Sequence, residues 1–187
     1  MIIKYAPTTV PIFTTDLTEY RPILELAKEA IFEQKIRDNG IGMKSNVKAN
    51  YVSHYSSHEK NGKFIPLKSL IEEISSDLVK EYMVMPTRFK CHDLWGAEYN
   101  KGDYTVEHGH YPAGYSAVCY IDLEDTTTPI IFEKTIAIFP VNNMLLLFPG
   151  MLRHNIPKTI GKRIIVACNM ECNIQLDDSK HNPNISY

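Results

Sequence analysis

The sequence predicts an α+β chain, with two helices first and then a run of short strands that closes as a β-sandwich or barrel. Two apolar stripes of helical period lie in the first half, and six strand-like segments fill the second, punctuated by Gly, Pro, Asn or Asp. With 187 residues, 44% hydrophobic and 22% charged, the chain has the material for one ordinary domain and is too apolar for global disorder. Within a single domain over 1–187, a helical support is expected over 1–86 and a β core over 87–175.

The first helix is predicted over residues 21–37. Thr15, Asp16 and Thr18 are candidate caps, and Pro22 fits only a first turn. Leu24, Ala27 and Ile31, widened by Ile23, Leu26 and Ala30, mark its buried face, and Asn39-Gly40 stops it. Residues 40–63 are polar and irregular, and read as a long loop of the kind used as a lid. A second helix is predicted over 66–83, with Pro66 near its start and Leu67, Leu70, Ile71, Ile74, Leu78 and Tyr82 at helical steps. Strands are predicted over 87–99, 104–110, 115–123, 130–139, 144–148 and 163–174, and the polar tail after Gln175 is expected to fray.

Composition excludes several function classes. Twenty Lys plus Arg against 22 Asp plus Glu give a net charge of −2, which argues against a nucleic-acid partner. No apolar run reaches the roughly 20 residues of a membrane-spanning helix, and residues 1–11 show no export signal, so a cytoplasmic protein without a membrane partner is expected. Cys91, Cys119, Cys168 and Cys172 form no Cys-x-x-Cys pair and read as reduced, mostly buried thiols. A small molecule or a protein is the expected substrate, and a homodimer is compatible with the sequence.

The chemistry concentrates on His108, His110, His154 and Arg163. In a strand, residues i and i+2 share a face, so His108 and His110 can aim two imidazoles at one metal ion. His154, after the apolar segment 144–148 and the turn Pro149-Gly150, is the best third ligand. Three neutral imidazoles suit Zn, Fe, Cu or Ni, so ligand type does not name the metal. A buried Arg163 needs an anionic partner, and a carboxylate gripped in two-pronged fashion is the natural one. Asn169 shares parity with Arg163. His92 and His181 read as surface or hydrogen-bonded residues, and His54 and His58, in a Ser-rich loop, read the same way.

At residues 95–169 the chain resembles the 2-oxoglutarate- and Fe(II)-dependent oxygenases, most closely the small oxygenase group of marine bacteria and their viruses. The matching text is Tyr99-Asn-Lys-Gly102-Asp-Tyr-Thr-Val-Glu-His108-Gly-His110, then Ser116-Ala-Val-Cys-Tyr120, Leu147-Phe-Pro-Gly-Met-Leu-Arg-His154 and Arg163-Ile-Ile-Val-Ala-Cys-Asn169. The resemblance implies a double-stranded β-helix, or jelly roll, as the catalytic core. It implies Fe(II) held by His108 and His154, with 2-oxoglutarate as co-substrate on Arg163 and Tyr120, and Tyr99 in the same pocket. The implied activity is oxidative decarboxylation of 2-oxoglutarate coupled to hydroxylation of a substrate C–H.

The wider superfamily places Asp or Glu where this chain has His110. Three explanations stand: His110 is a third imidazole ligand, a carboxylate comes from elsewhere, or the site is altered. Asp103 and Glu107 have the wrong strand parity unless a bulge intervenes. The other readings are a cupin-type or three-histidine metal enzyme that does not use 2-oxoglutarate, and a jelly-roll binding module without catalysis. The first two leave Arg163 and Tyr120 without a role.

Overall fold

The computed structural model describes residues 9–80, 82 and 87–174. Met83, the expected end of the second helix, the tail after Gln175 and the first eight residues lie outside them. Eleven strands and three α-helices are described, in the order β1 (Phe13–Asp16), α1 (Arg21–Arg37), β2 (Val47–Lys48), β3 (Tyr51–Val52), α2 (Ser57–Lys60), α3 (Ile65–Lys80), β4 (Thr87–Tyr99), β5 (Tyr104–His108), β6 (Tyr115–Leu123), β7 (Ile130–Phe132), β8 (Ile136–Ile138), β9 (Met144–Pro149), β10 (His154–Ile156) and β11 (Arg163–Ile174). They form two antiparallel sheets, one ordered β1-β9-β6-β11-β4-β3 and the other β2-β5-β10-β7-β8. The result is the expected jelly roll with two long helices packed against it.

Alternation along the long strands divides the apolar residues into two cores. Ala117, Cys119, Leu145, Leu147, Ile164 and Val166 face α1 and α3. Val118, Tyr120, Leu146, Phe148, Ile165 and Ala167 face the smaller sheet. Leu24, Ala27, Ala30 and Ile31 of α1, and Leu67, Leu70 and Ile71 of α3, are buried on the first of these faces. Each fully buried Leu or Ile contributes about 1.5–3 kcal/mol there. Leu26 is exposed, so the buried stripe of α1 is narrower than its sequence suggests.

Two glycines set how closely the layers approach. A Cβ on Gly96 of β4 would lie 2.2 Å from Ile31 Cγ1, so only glycine lets α1 sit this close to the sheet. Gly40 follows α1 at φ +60, and a Cβ there would meet the Val52 carbonyl oxygen at 1.9 Å. Glu98, buried on this face, is held by Lys35 of α1 and by Lys162, whose Nζ lies 3.1 Å away. Burial works to raise the Glu98 pKa, but the two lysines outweigh it and hold the carboxyl below its usual range.

Several expectations are corrected. The 40–63 segment is not irregular throughout, because it contains β2, β3 and α2. Asp16 does not cap α1. Its Oδ1 accepts from Thr18 N at 2.9 Å and Thr18 Oγ1 at 2.7 Å, and neither Thr15 nor Thr18 caps the helix, whose N-cap is Tyr20 without a side-chain cap bond. The strand expected over 130–139 is a hairpin, with Glu133 and Lys134 at φ 47 and 63 between β7 and β8. All four cysteines are free, three of them buried and Cys172 partly so.

Candidate metal centre

The inner face of the larger sheet is a ladder of cross-strand rungs. The deepest pairs Tyr99 of β4 with Arg163 of β11. Next come Ala97 with Ile165 and Tyr120, then Trp95 with Ala167 and Val118, and outermost Asp93 with Asn169 and Ser116. Successive rungs are about 6.5–7 Å apart. The smaller sheet faces this ladder and carries the histidines.

His108 ends β5 and is paired directly with His154, the first residue of β10. A bulge lies beside them. The register passes from His154↔His108 to Ile156↔Thr105, so three residues of β5 span two of β10. Thr105 and His108 therefore both border the interior. Glu107 is directed elsewhere, and its Oε1 accepts from Arg153 Nε at 2.9 Å. His110 is not on the strand at all. β5 stops at His108, and His110 is placed by a turn whose N–H donates to the Gly150 carbonyl at 2.7 Å. The same-face argument for His108 and His110 is thereby corrected: the turn, not strand parity, supplies the third imidazole.

The three rings nonetheless converge, with one ligating nitrogen from each within 4.8 Å of the others. His110 Nε2 and His154 Nε2 are 3.4 Å apart. Phe148 packs edge-on against His154 at 4.9 Å between ring centroids, and Trp95 lies 6.2 Å from His110. His108 Nδ1 lies 2.8 Å from the Val106 carbonyl and His154 Nδ1 lies 3.1 Å from that of Leu152. A carbonyl only accepts, so both Nδ1 atoms carry the proton and both Nε2 atoms present lone pairs, the arrangement of metal-ligating histidines.

Burial favours the same neutral form. It pushes His110 down to about 3, helped by the charges of His154 and His108. It pushes His154 down to about 4, helped by His108 and opposed by the Leu152 carbonyl. His108 is lowered too, again mainly by burial.

Arg163 is completely buried at the deep end. Its Nη2 donates to Asp125 Oδ2 at 2.8 Å and to the Thr128 carbonyl at 2.6 Å. The anionic partner that burial demands is thus present inside the chain, met through one guanidinium nitrogen rather than gripped in two-pronged fashion. Burial works to raise the Asp125 pKa. Hydrogen bonds from the Thr128 hydroxyl, the Ile160 and Thr127 amides and Arg163 outweigh it and hold the carboxyl well below its usual range.

One guanidinium nitrogen is therefore anchored, while Nε and Nη1 are buried without a partner, as is the Tyr120 hydroxyl. Tyr99 Oη and Thr105 Oγ1 are 2.8 Å apart. Burial pushes the Tyr99 phenol up to about 12, against the pull of Thr105 and Arg163, and it raises Tyr120 as well.

Two spaces meet at the histidines. An inner cavity of about 30 Å³ runs between the sheets past Tyr99, Thr105 and Ile165. An outer cleft of about 540 Å³ opens to solvent between Tyr55, Asp93 and Tyr111. Trp95, His108, His110 and Val47 border both. Arg163 and Tyr120 lie behind the inner cavity rather than on its wall. Thus the structure gathers His108, His110 and His154, and places Arg163 and Tyr99 on one rung two levels deeper than Trp95, with Tyr120 on the rung between.

Sequence reasoning missed Asp125, although Asp125-Thr-Thr-Thr128 is a turn signal in which the carboxylate collects nearby N–H and O–H groups. It also missed Trp95 and Asp93 as cleft walls. Asn169 lies on the outermost rung, accepting from Ser116 Oγ at 2.9 Å and donating to Asp93 Oδ2 at 3.1 Å.

No protein-family model matches the chain, and no curated protein matches it by sequence. Solved structures do match in fold. A Pseudomonas putida prolyl-4-hydroxylase is similar over 87% of this chain and 93% of its own, at TM-score 0.65 and 11% identity. The non-heme alpha ketoglutarate dependent epimerase SnoN from nogalamycin biosynthesis is similar over 94% and 88%, at TM-score 0.67 and 8% identity. A viral collagen prolyl hydroxylase from Paramecium Bursaria Chlorella virus-1 is similar over 85% and 94%, at TM-score 0.56 and 12% identity. These likenesses establish the fold as the jelly roll that such oxygenases share.

Proposed function

We propose that the protein is a 2-oxoglutarate- and Fe(II)-dependent dioxygenase that hydroxylates a substrate C–H, and that it belongs with the small oxygenase group its sequence resembles. The observation that carries this reading is the pairing of convergent, neutral imidazoles at the mouth of the sheet interior with unpartnered donors at its deep end. Leaving a buried donor unpaired costs about 1–3 kcal/mol. Arg163 Nε, Arg163 Nη1 and the Tyr120 hydroxyl together present what an anionic co-substrate accepts from. The likeness in fold, over most of both chains, to a prolyl hydroxylase and an alpha ketoglutarate dependent epimerase supports the same reading.

His108, His110 and His154 would hold the iron. The carbonyls of Val106 and Leu152 fix two of the rings in the ligating tautomer. With 2-oxoglutarate, bound Fe(II) would supply oxygen activation, decarboxylating the co-substrate to succinate while a substrate C–H is hydroxylated. Arg163 and Tyr120 would receive the distal carboxylate, and Tyr99, held by Thr105, would border it. Asp125 and Thr128 orient the guanidinium beforehand, so little side-chain freedom is lost on binding. The inner cavity has room for about two waters, so its apolar wall at Ile165 and Ile156 must give way when the co-substrate enters. The outer cleft would admit a small molecule or an exposed protein side chain.

A second reading, a three-histidine metal enzyme that does not use 2-oxoglutarate, is favoured by the neutralisation of Arg163 by Asp125 and by the narrow inner cavity. The remaining proposals are a cytoplasmic setting, supported by four free cysteines, and a protein that binds neither nucleic acid nor membrane, supported by the net charge of −2 and by the absence, among the described residues, of a helix able to cross a membrane. A homodimer is compatible with this reading.

Incubation with Fe(II), oxygen and 2-oxoglutarate is expected to release succinate and carbon dioxide in equal amounts, a turnover that His154→Ala abolishes. Consumption of no 2-oxoglutarate, with iron bound, would select the second reading.

A further inference from the structure

The outer cleft carries a charge pattern that the metal and co-substrate do not explain. Among the described residues its walls include Asp93 and Glu171 and no lysine or arginine. Glu171 lies 2.5 Å from His92 Nε2. Asp93, one rung outward from Trp95 on the same face of β4, meets only a neutral group, the Asn169 amide. Directly beside it, Tyr55 stands edge-on to Trp95 with ring centroids 5.1 Å apart. A carboxylate without a cationic partner next to an aromatic corner fits an alkylammonium or guanidinium group. The carboxylate gives the charge a partner, and the ring faces add a cation–π contribution.

The second observation is independent of the acidic residues. Trp95 is only 5% exposed, yet its indole N–H has no partner. The residue walls the cleft at the point where it meets the histidines. An unpartnered donor there calls for an acceptor oxygen on the ligand. A cation and a carbonyl in one molecule describe a basic amino-acid residue.

We infer that the outer cleft selects a lysine- or arginine-type side chain, with Asp93, Tyr55 and Trp95 receiving its cationic end and backbone carbonyl. Calling that ligand the substrate rests on the oxygenase reading, whereas the preference belongs to the cleft itself. Phosphate-bearing ligands are disfavoured by the same walls.

Trp95 is the single tryptophan of the chain, so its emission reports occupancy directly. The full chain, metal-free and again with Zn(II) bound, is titrated with N-acetyl-lysine methylamide, its neutral isostere N-acetyl-norleucine methylamide, and N-acetyl-glutamate methylamide. The lysine probe is expected to bind about tenfold more tightly than norleucine at low salt, less so at high salt, with the glutamate probe weakest. Asp93→Asn should shrink that tenfold preference to about twofold, and Glu171→Gln, a more exposed change, should reduce it in part. Equal binding of lysine and norleucine, preference for glutamate, or no change in emission with any probe would overturn the inference. Succinate production, measured separately, tells the two failures apart. Turnover without cation preference removes only the substrate class, and preference without turnover removes only the oxygenase reading.

Discussion

The two faces of the larger sheet are built from the same four long strands and behave differently. The outer face meets α1 and α3 across a continuous apolar layer in which Leu24, Leu67, Val166 and Cys168 are fully buried. Its buried charged residue, Glu98, is neutralised by two lysines. The inner face is equally buried but carries Arg163, Tyr99, Tyr120 and Trp95, and three of these hold donors without partners. Buried polar atoms without partners occur on the helices too, at Ser75 Oγ and Gln34 Oε1, but the inner face leaves a guanidinium among them. The difference teaches that the helix side of these strands serves packing, whereas the other side, also needed for stability, in addition holds groups free to bind.

That division can be broken or sharpened by substitution. The largest effect on stability is expected from Asp125→Ala. It strands the Arg163 charge in the interior and should cost about 3–5 kcal/mol in urea denaturation. A loss under about 1 kcal/mol would mean that another group neutralises Arg163. Leu67→Ala, on the helix-covered face, should cost about 2–4 kcal/mol and leave the metal affinity of the folded protein unchanged.

The pH dependence of stability probes the interior between the two sheets. His110 and His154 are held near 3 and 4 in the folded protein, below the ordinary value of 6.5, so the unfolded chain takes up their protons first. The metal-free protein should therefore keep this stability above about pH 6.5 and lose it progressively as pH falls toward 4. His110→Gln should flatten that slope, and an unchanged slope would show that the ring is not buried in its neutral form. Smallest of all, Tyr120→Phe removes a hydroxyl with no partner. It should raise the stability of the ligand-free protein by about 1 kcal/mol, because a buried unpaired donor is removed, while weakening 2-oxoglutarate about fivefold, as measured by calorimetry.

Much of the fold was legible because its main elements announce themselves locally. α1 and the long strands β4, β6 and β11 run over the residues that periodicity predicts. The strands that sequence reading missed, β1, β2, β3 and β10, are two to four residues long and are defined by partners far along the chain, such as Leu147 for Phe13 and His108 for His154. The hairpin between β7 and β8 turns on Glu133 and Lys134, residues that carry no turn signal.

At the site, the chemistry of the histidines was legible and the mechanism of their convergence was not. His110 arrives through a turn held by Gly150, a contact that spacing cannot reveal. The Arg163–Asp125 pair joins residues 38 positions apart, and its two halves have no common local pattern. Asp93 was invisible for a related reason. An acidic residue on a strand reads as solvent-facing until the opposite wall of the cleft is in place.

The most direct test of the metal and co-substrate site is an anaerobic titration of the Fe(II)-loaded protein with 2-oxoglutarate, following the visible charge-transfer absorption of a chelated iron. A band that grows to saturation, and that Arg163→Gln weakens without loss of iron, is the predicted result. Iron retained with no band at any 2-oxoglutarate concentration would contradict it.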